Sequence, residues 1–490
     1  VKITLSTPTA HFTADMMDVI RLFFPDAEPT SEADADTWLS HRFDTENEYY
    51  VCEFSGWGRT VHLSAPRGTD DPVGSKRVQK RLIKQSLYTL LKEGTGIHPP
   101  WGSLTGIRPT RLFYEQLREA GTPEAACERL ISLFDVAPEK AALLKRIADT
   151  QKELPAPGKQ HADIYIGIPF CPSLCSYCSF SSGLLGDGRR VTPYLDALEK
   201  DMCQTRALMN TLLLTPRALY IGGGTPTSLD ISGFERLMRM IDRFFPDRQE
   251  TSVEAGRPDT LTHAKLDAIR DRKTRLSINP QSMNDRTLRA IGRNHTARET
   301  EMAFVLARSA GFGHINADII AGLPSETPDD FNQTLEAVAA LGPESLTVHT
   351  LCLKRASRMR LDAYPLPDAL IVSRMIRDAE AAAEAMGLQP YYLYRQKYAA
   401  GNLENVGYAA RGHICLYNVG MMEETATVLG IGAGAMTKRV IQEENRIERA
   451  PSVSDIDTYI SHVDQMIARK AALWEGVRLG ASTAVPSAST

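Results

Sequence analysis

The chain has 490 residues, 43% of them hydrophobic and 24% charged, with a formal net charge of -4. That length exceeds what one compact core ordinarily serves, and the composition is that of a water-soluble globular protein, so two or three domains are expected. The slight acidity excludes a general nucleic-acid binder held by phosphate neutralisation, and no run approaches the roughly 18 apolar residues of a membrane span. The amino terminus, VKITLSTPTAHF, lacks the apolar core of a signal peptide, which points to the cytoplasm.

Residues 1–158 read as an α+β domain: a strand and a helix, a hairpin made by YYVCEF and RTVHLSA around Gly56-Trp57-Gly58, then helices. Lys76, Arg77, Lys80, Arg81 and Lys84 share one helical face opposite Val78, Leu82, Leu87, Leu90 and Leu91, the pattern of a solvated face over a core. LPAPGKQHAD (154–163), with two prolines and a glycine, reads as a linker. A different rhythm occupies 159–388. Six β-rich runs, DIYIGIPF, ALYIGGGTP, TSVEAG, RLSINPQ, HINADIIAGLP and SLTVHTL, alternate with helical stretches at 193–212, 231–244, 263–270, 297–310, 328–341 and 368–386. Alternation means parallel βαβ units, and six units are fewer than a closed barrel needs. The expected fold is α/β, an open (β/α)6 partial TIM barrel. Its site is expected at the carboxyl strand ends: the cysteine loop, Gly222 to Pro226, Glu254, Gln281, Asp318 and His349. Residues 389–490 turn Tyr- and Gly-rich, with a last helix within 454–472 and a small, polar, disordered tail, and read as a smaller C-terminal domain.

Of eight cysteines, three fall within IGIPFCPSLCSYCSF: Cys171, Cys175 and Cys178. The other five are scattered and read as buried packing residues in a reducing compartment. A structural zinc site takes four protein ligands and a dithiol redox motif two. A [4Fe-4S] cube takes one ligand per iron, so three thiolates leave one iron open to a small molecule. Zinc completed by a distant ligand such as His161 is the alternative. Tyr177, between the last two cysteines, is placed to cover a cube or a bound ring. The triple glycine ending the second strand either makes a tight turn or lets a ligand approach the backbone.

Cys-x-x-x-Cys-x-x-Cys after a first strand, with GGGTPT after a second, resembles the radical S-adenosylmethionine (SAM) superfamily. SLTGIRPTRL, SINPQSMNDRTLRAIGRNH, VHTLCLKRASR and YYLYRQKYAAGNLENVGYA further resemble the HemZ subgroup of the oxygen-independent coproporphyrinogen III dehydrogenase family, over nearly the whole chain. The resemblance implies a [4Fe-4S] cluster on Cys171, Cys175 and Cys178, which act catalytically through it. It implies SAM met by Tyr165, Tyr177, Phe180, Gly223, Gly224, Thr225, Glu254, Gln281, Arg293 and Asp318. The implied reaction is oxidative decarboxylation of two coproporphyrinogen III propionates to the vinyls of protoporphyrinogen IX, in haem biosynthesis. An electron donor such as flavodoxin or ferredoxin is implied as partner, with 389–490 on the substrate side. Arg108, Arg111 and Arg395, with Lys397, are candidates for the substrate carboxylates, because guanidinium pairs carboxylate bidentately. Two features depart from the pattern. Phe180 stands where better-studied members carry a fourth cysteine, and HICLYN keeps only His413 and Tyr417 of the His-Asn-x-x-Tyr-Trp haem pattern of the family's chaperone branch. The alternatives are a SAM-binding haem chaperone, or another radical SAM tetrapyrrole enzyme such as a methyltransferase or a ring-opening haem degrader.

Overall fold

The computed structural model describes residues 1–30, 35–67, 71–106, 108–179, 183–271, 273–354, 357–444 and 446–475. The polar tail expected to be disordered lies outside them, as does Phe180.

The amino-terminal residues build a sheet of their own from β1 (Lys2–Ser6), β2 (Glu28–Pro29), β3 (Thr37–Glu46), β4 (Tyr49–Gly56) and β5 (Arg59–Pro66), in the order β2-β1-β3-β4-β5. The expected hairpin is β4–β5, turned by Trp57 and Gly58, both at positive φ, the two-residue geometry that matches strand twist. Helices α1 (Thr13–Phe23) and α2 (Pro72–Thr95) pack on it. Met16, Ile20, Ile83, Leu87 and Leu90 join Ile3, Leu39 and Phe54 in one apolar cluster. On α2, Lys76, Arg77, Lys80 and Arg81 are exposed as the face pattern predicts, whereas Lys84 is partly buried and donates to Thr105. Next come α3 (Pro109–Ala120), α4 (Pro123–Phe134) and α5 (Pro138–Gln151), each opened by a proline whose missing N–H costs nothing in a first turn. Their buried Phe113, Leu130, Leu144 and Ile147 belong to the apolar core of the following sheet, not to the amino-terminal one.

That sheet begins with β6 (His161–Ile168). A short parallel bracket, β7 (Phe170–Cys171) with β8 (Gly183–Leu184), follows, then α6 (Val191–Thr211), β9 (Thr215–Gly223), α7 (Ile231–Phe244), β10 (Glu250–Glu254), α8 (His263–Ala268) and β11 (Arg275–Ser277). After them come α9 (Asp285–Ala290), α10 (Ala297–Ser309), β12 (Ile315–Ala321), α11 (Pro328–Leu341), β13 (Ser345–Thr350), α12 (Arg358–Leu361) and α13 (Ala369–Ala385). Strands β6, β9, β10, β11, β12 and β13 lie side by side in chain order, all parallel, which are the six expected units. Because side chains alternate along a strand, Ile164, Ile166 and Ile168 pack toward the helices. Tyr165 and Tyr220 turn instead into the lumen, where they cluster with Tyr391 and Tyr417.

The remaining elements are β14 (Gln389–Arg395), β15 (Glu404–Ala409), α14 (Leu416–Met422), β16 (Thr427–Ile431), β17 (Met436–Ile441), β18 (Arg446–Pro451) and α15 (Ile456–Ala472). All five of these strands join the same sheet, in the order β14-β15-β13-β12-β11-β10-β9-β6-β16-β17-β18. β16 is parallel to β6 and the outer strands are antiparallel, and among the described residues the terminal strands β14 and β18 do not pair with each other, so the barrel stays open.

The amino-terminal mouth of the barrel is plugged by α14 and the loop before it. Glu250, first in β10, accepts from the backbone N–H groups of Leu416 (3.0 Å) and Tyr417 (3.2 Å). Arg275, first in β11, donates to the His413 carbonyl at 2.9 Å, and Arg217 to that of Leu416 at 3.1 Å while paired twice with buried Asp163. Tyr417 stacks on Tyr220 with centroids 4.7 Å apart. Whatever the barrel binds must therefore enter at the carboxyl ends of the strands. Among the scattered cysteines only Cys52 and Cys415 are buried. Cys127 and Cys352 are half-buried, and Cys203 is exposed on α6, which corrects the packing assignment for that residue.

Candidate active site

The three thiols lie on the loop leaving β6 and β7 at the open end. Leu185 N–H donates to Cys171 O (2.9 Å) through the β7–β8 bracket. Ser176 is held from two sides, its N–H donating to Ile291 O (3.0 Å) and its carbonyl accepting from Met359 N–H (2.9 Å). Ser173 Oγ donates to Gly292 O at 3.2 Å. Gly292 has φ +78° and an added Cβ would sit 3.1 Å from Leu174 O, so the turn after α9 is shaped to receive the loop. Each thiol is only partly buried.

The glycine run after β9 meets this loop directly. Gly224 N–H donates to Ile168 O (2.8 Å) and Thr225 N–H to Phe170 O (2.7 Å). An added Cβ at Gly224 would lie 2.5 Å from Phe170 O and 2.9 Å from Cys171 Sγ, and Thr225 Oγ1 is 3.7 Å from the same sulfur. Glycine is thus demanded by the contact between the two loops as well as by any ligand lying on them.

Polar groups ring the lumen below. Tyr220 donates to Glu254 Oε1 at 2.6 Å, and Asn316 donates to Asp318 Oδ1 at 2.7 Å. His349 Nε2 stands 3.7 Å from Asp318 Oδ2, with its Nδ1 3.3 Å from Tyr394 Oη. Gln281 adopts φ +68°, a conformation uncommon outside glycine, because its N–H donates to Asp318 O (2.9 Å) and its carbonyl accepts from Ile320 (3.0 Å). Its Oε1 is buried without a partner. Arg293 is buried, donating to the carbonyls of Asn279 (2.5 Å) and Gly256 (3.0 Å), and its Nε also lacks a partner.

Burial lifts the Glu254 carboxyl from 4.5 to about 7, with the Tyr220 hydrogen bond working against the shift and Asp318 adding to it. A carboxyl raised in the native state stabilises the fold fully below about 4.5 and loses that contribution as pH climbs through about 7. In the cluster-free protein this should make unfolding easier at pH 8 than at pH 5, by on the order of 3 kcal/mol from this group. Glu423 (to about 7) and Asp163 (to about 6), both raised chiefly by burial, add slope of the same sign. Urea unfolding of Glu254→Gln at the two pH values should therefore show a reduced difference; a difference equal to wild type contradicts the assignment.

The sequence profile of the Radical SAM superfamily matches residues 165–338, from β6 through most of α11. The oxygen-independent coproporphyrinogen-III oxidase-like protein HemZ of Bacillus subtilis (strain 168) is 40% identical over 391 residues, covering 78% of this chain and 78% of that one. The chain is a member of the HemZ family of radical SAM proteins. Heme chaperone HemW of the same organism is 32% identical over 249 residues, 49% of this chain and 64% of that protein. Among solved structures, the radical SAM enzyme coproporphyrinogen III oxidase (HemN) from Escherichia coli superposes with a TM-score of 0.51 at 23% identity. The match covers 67% of this chain and 73% of that one and shows the shared fold.

A HemZ-family chain carries a [4Fe-4S] cluster and SAM, and the residues present fit both. Three thiols share one loop, Gly224 brings the glycine run against the Cys171 sulfur, and the buried Gln281 Oε1 and Arg293 Nε lack partners. Among the described residues no group of three or more His, Cys, Asp or Glu could hold a single metal ion. His161, the alternative zinc ligand, opens β6, roughly 20 Å of strand from the cysteine loop, and its Nδ1 accepts from Gly158. Tyr177 is half-buried beside Cys175 and Arg293. Tyr165 lies deeper, stacked over Tyr417 at 6.4 Å in the aromatic filling of the lumen.

The arginines expected to meet substrate carboxylates are engaged with groups of the chain itself. Arg108 and Arg111 both pair with buried Glu424, which follows α14 at the plugged end. Arg395 is buried, donates to Leu104 O (2.6 Å) and Asn402 O (3.1 Å) and lies over the Trp101 ring. Lys397 pairs with Asp18 at 2.7 Å. Sequence reasoning missed Ser173 and Arg257, which support the cysteine loop; no spacing rule marks them, since their role comes from contacts across three βα units. Among the described residues no helix is long and apolar enough to cross a membrane.

Proposed function

We propose that this chain catalyses the oxygen-independent oxidative decarboxylation of coproporphyrinogen III propionates to the vinyls of protoporphyrinogen IX. The observation that carries this reading is the division of the barrel. The cysteine loop, glycine run and acidic ring share the open end, whereas the haem-type segment HICLYN is spent on closing the other. There the His413 carbonyl accepts from Arg275 and its ring packs on His314 with centroids 4.5 Å apart. When bound, a reduced cluster supplies one electron to SAM and SAM supplies a carbon radical able to take hydrogen from an unactivated C–H bond. Cys171, Cys175 and Cys178 would hold the cluster, and Gly223, Gly224 and Thr225 let the methionyl end of SAM lie against backbone. Glu254, Gln281, Arg293 and Asp318 would orient its charged and hydroxyl groups, with Tyr177 shielding the loop. The plug at the far end keeps water from rising through the lumen. Arg358 and Arg360 on α12 flank the Met359 that bonds the cysteine loop; both are exposed, Arg358 with a surface pair to Asp362 at 3.7 Å, and they stand as partners for propionates.

Reconstituted protein kept under strong reductant should cleave SAM faster when coproporphyrinogen III is added, and Arg358→Ala with Arg360→Ala should blunt that stimulation through a raised KM. Haem binding should be weak and indifferent to His413→Ala. Stoichiometric haem binding lost in His413→Ala, with no stimulation by the porphyrinogen, would make the protein a carrier instead.

A further inference from the structure

Arg257 lies three residues past the end of β10, with its side chain 3% exposed, and it faces the cysteine loop. Its Nη1 donates to Cys175 Sγ at 3.4 Å and its Nη2 to Ser173 Oγ at 2.6 Å, while Ser173 in turn donates to Gly292 O at 3.2 Å. Its Nε stands 3.5 Å from Asp259 Oδ1 and makes no hydrogen bond. Arg293 also interacts with Cys175. The neighbouring His295 is buried with neither ring nitrogen bonded, and burial, then Arg293 and Arg257, depress it to about 3, so it adds no charge. A buried guanidinium needs anionic partners; Asp259 stands beside its Nε, and the Cys175 sulfur is the group its Nη1 meets.

We propose that Arg257 is a positioning residue that sets the reduction potential of the cluster through its hydrogen bond and charge at the Cys175 sulfur. Donors to ligand sulfurs and nearby positive charge favour the reduced cluster, which carries one more electron than the oxidised form. Arg257 thereby brings the cluster within reach of a cellular donor, and its fork to Ser173 holds the loop in the geometry that makes the bond. The inference rests on the cluster assignment and not on the identity of the tetrapyrrole.

The test is a potentiometric titration of the full reconstituted chain with dithionite, without SAM, followed by electron paramagnetic resonance. Arg257→Gln should lower the equilibrium constant for reduction tenfold or more, a midpoint more negative by about 59 mV or more for one electron. Arg257→Lys, which keeps the charge but loses the fork, should shift less in the same direction, as should Ser173→Ala. Arg257→Gln with wild-type iron and sulfide and an unchanged midpoint overturns the inference, as does an unchanged midpoint accompanied by weakened SAM binding, which would make Arg257 a ligand group. Where Arg257→Gln fails to hold iron, Ser173→Ala decides, and a wild-type midpoint there overturns it. Wild-type protein that assembles no cluster would sink the cluster assignment itself.

Discussion

Replacing Cys171, Cys175 or Cys178 by alanine should abolish iron-sulfur absorbance and SAM cleavage together, whereas Cys203→Ala should leave both at wild-type levels. A cube held by three thiolates already has one iron without a protein ligand, so removal of any thiolate leaves two. The Ser173 hydroxyl is committed to the turn after α9, and Ser176 is pinned through its backbone to that turn and to α12. Cys203 is exposed on α6, outside the cysteine loop. Iron and sulfide content with chromatographic detection of 5'-deoxyadenosine reads both effects. Full cluster content in any of the three variants would remove that cysteine from the ligand set.

Gly224→Val should also be severe, and it should strike the cluster as well as SAM. From the sequence alone, a side chain here obstructs the ligand. In the structure even a Cβ would fall 2.5 Å from the Phe170 carbonyl and 2.9 Å from Cys171 Sγ, and neither backbone nor a cluster ligand can give way cheaply. Overpacking of this kind costs roughly 1–3 kcal/mol, and here it is paid by displacement of the cysteine loop. Gly224→Ala should therefore already lower iron content and SAM affinity. Gly313→Ala, where an added Cβ meets nothing within 4 Å, should change neither. Equal behaviour of the two alanine variants would contradict the loop contact.

The six βα units could be read because each strand is a short apolar run bounded by turn residues and each helix is long and periodic; 231–244 and 328–341 agree with α7 and α11 to the residue. The five strands after residue 388 escaped such a reading. β14 and β15 are antiparallel and β16 is parallel to β6, a strand more than 250 residues earlier, and nothing local in a Tyr- and Gly-rich segment encodes that partner. The site divided in the same way. Residues on the loop and strand ends announced themselves through type and spacing, as Cys171 and Gly224 did. Arg108 and Arg395 looked suited to carboxylates by type alone, and only packing shows that Glu424 and backbone carbonyls already occupy them.

The most direct measurement is the mass of the tetrapyrrole after anaerobic turnover with SAM, reductant and coproporphyrinogen III. Two propionates should each lose one carbon dioxide and two hydrogens, one hydrogen leaving on 5'-deoxyadenosine and the other as a proton whose electron passes to an added electron acceptor, with SAM consumed in step, and the product should match protoporphyrinogen IX. A substrate recovered at unchanged mass while SAM is cleaved, or a product heavier by a methyl group, would contradict the proposed reaction.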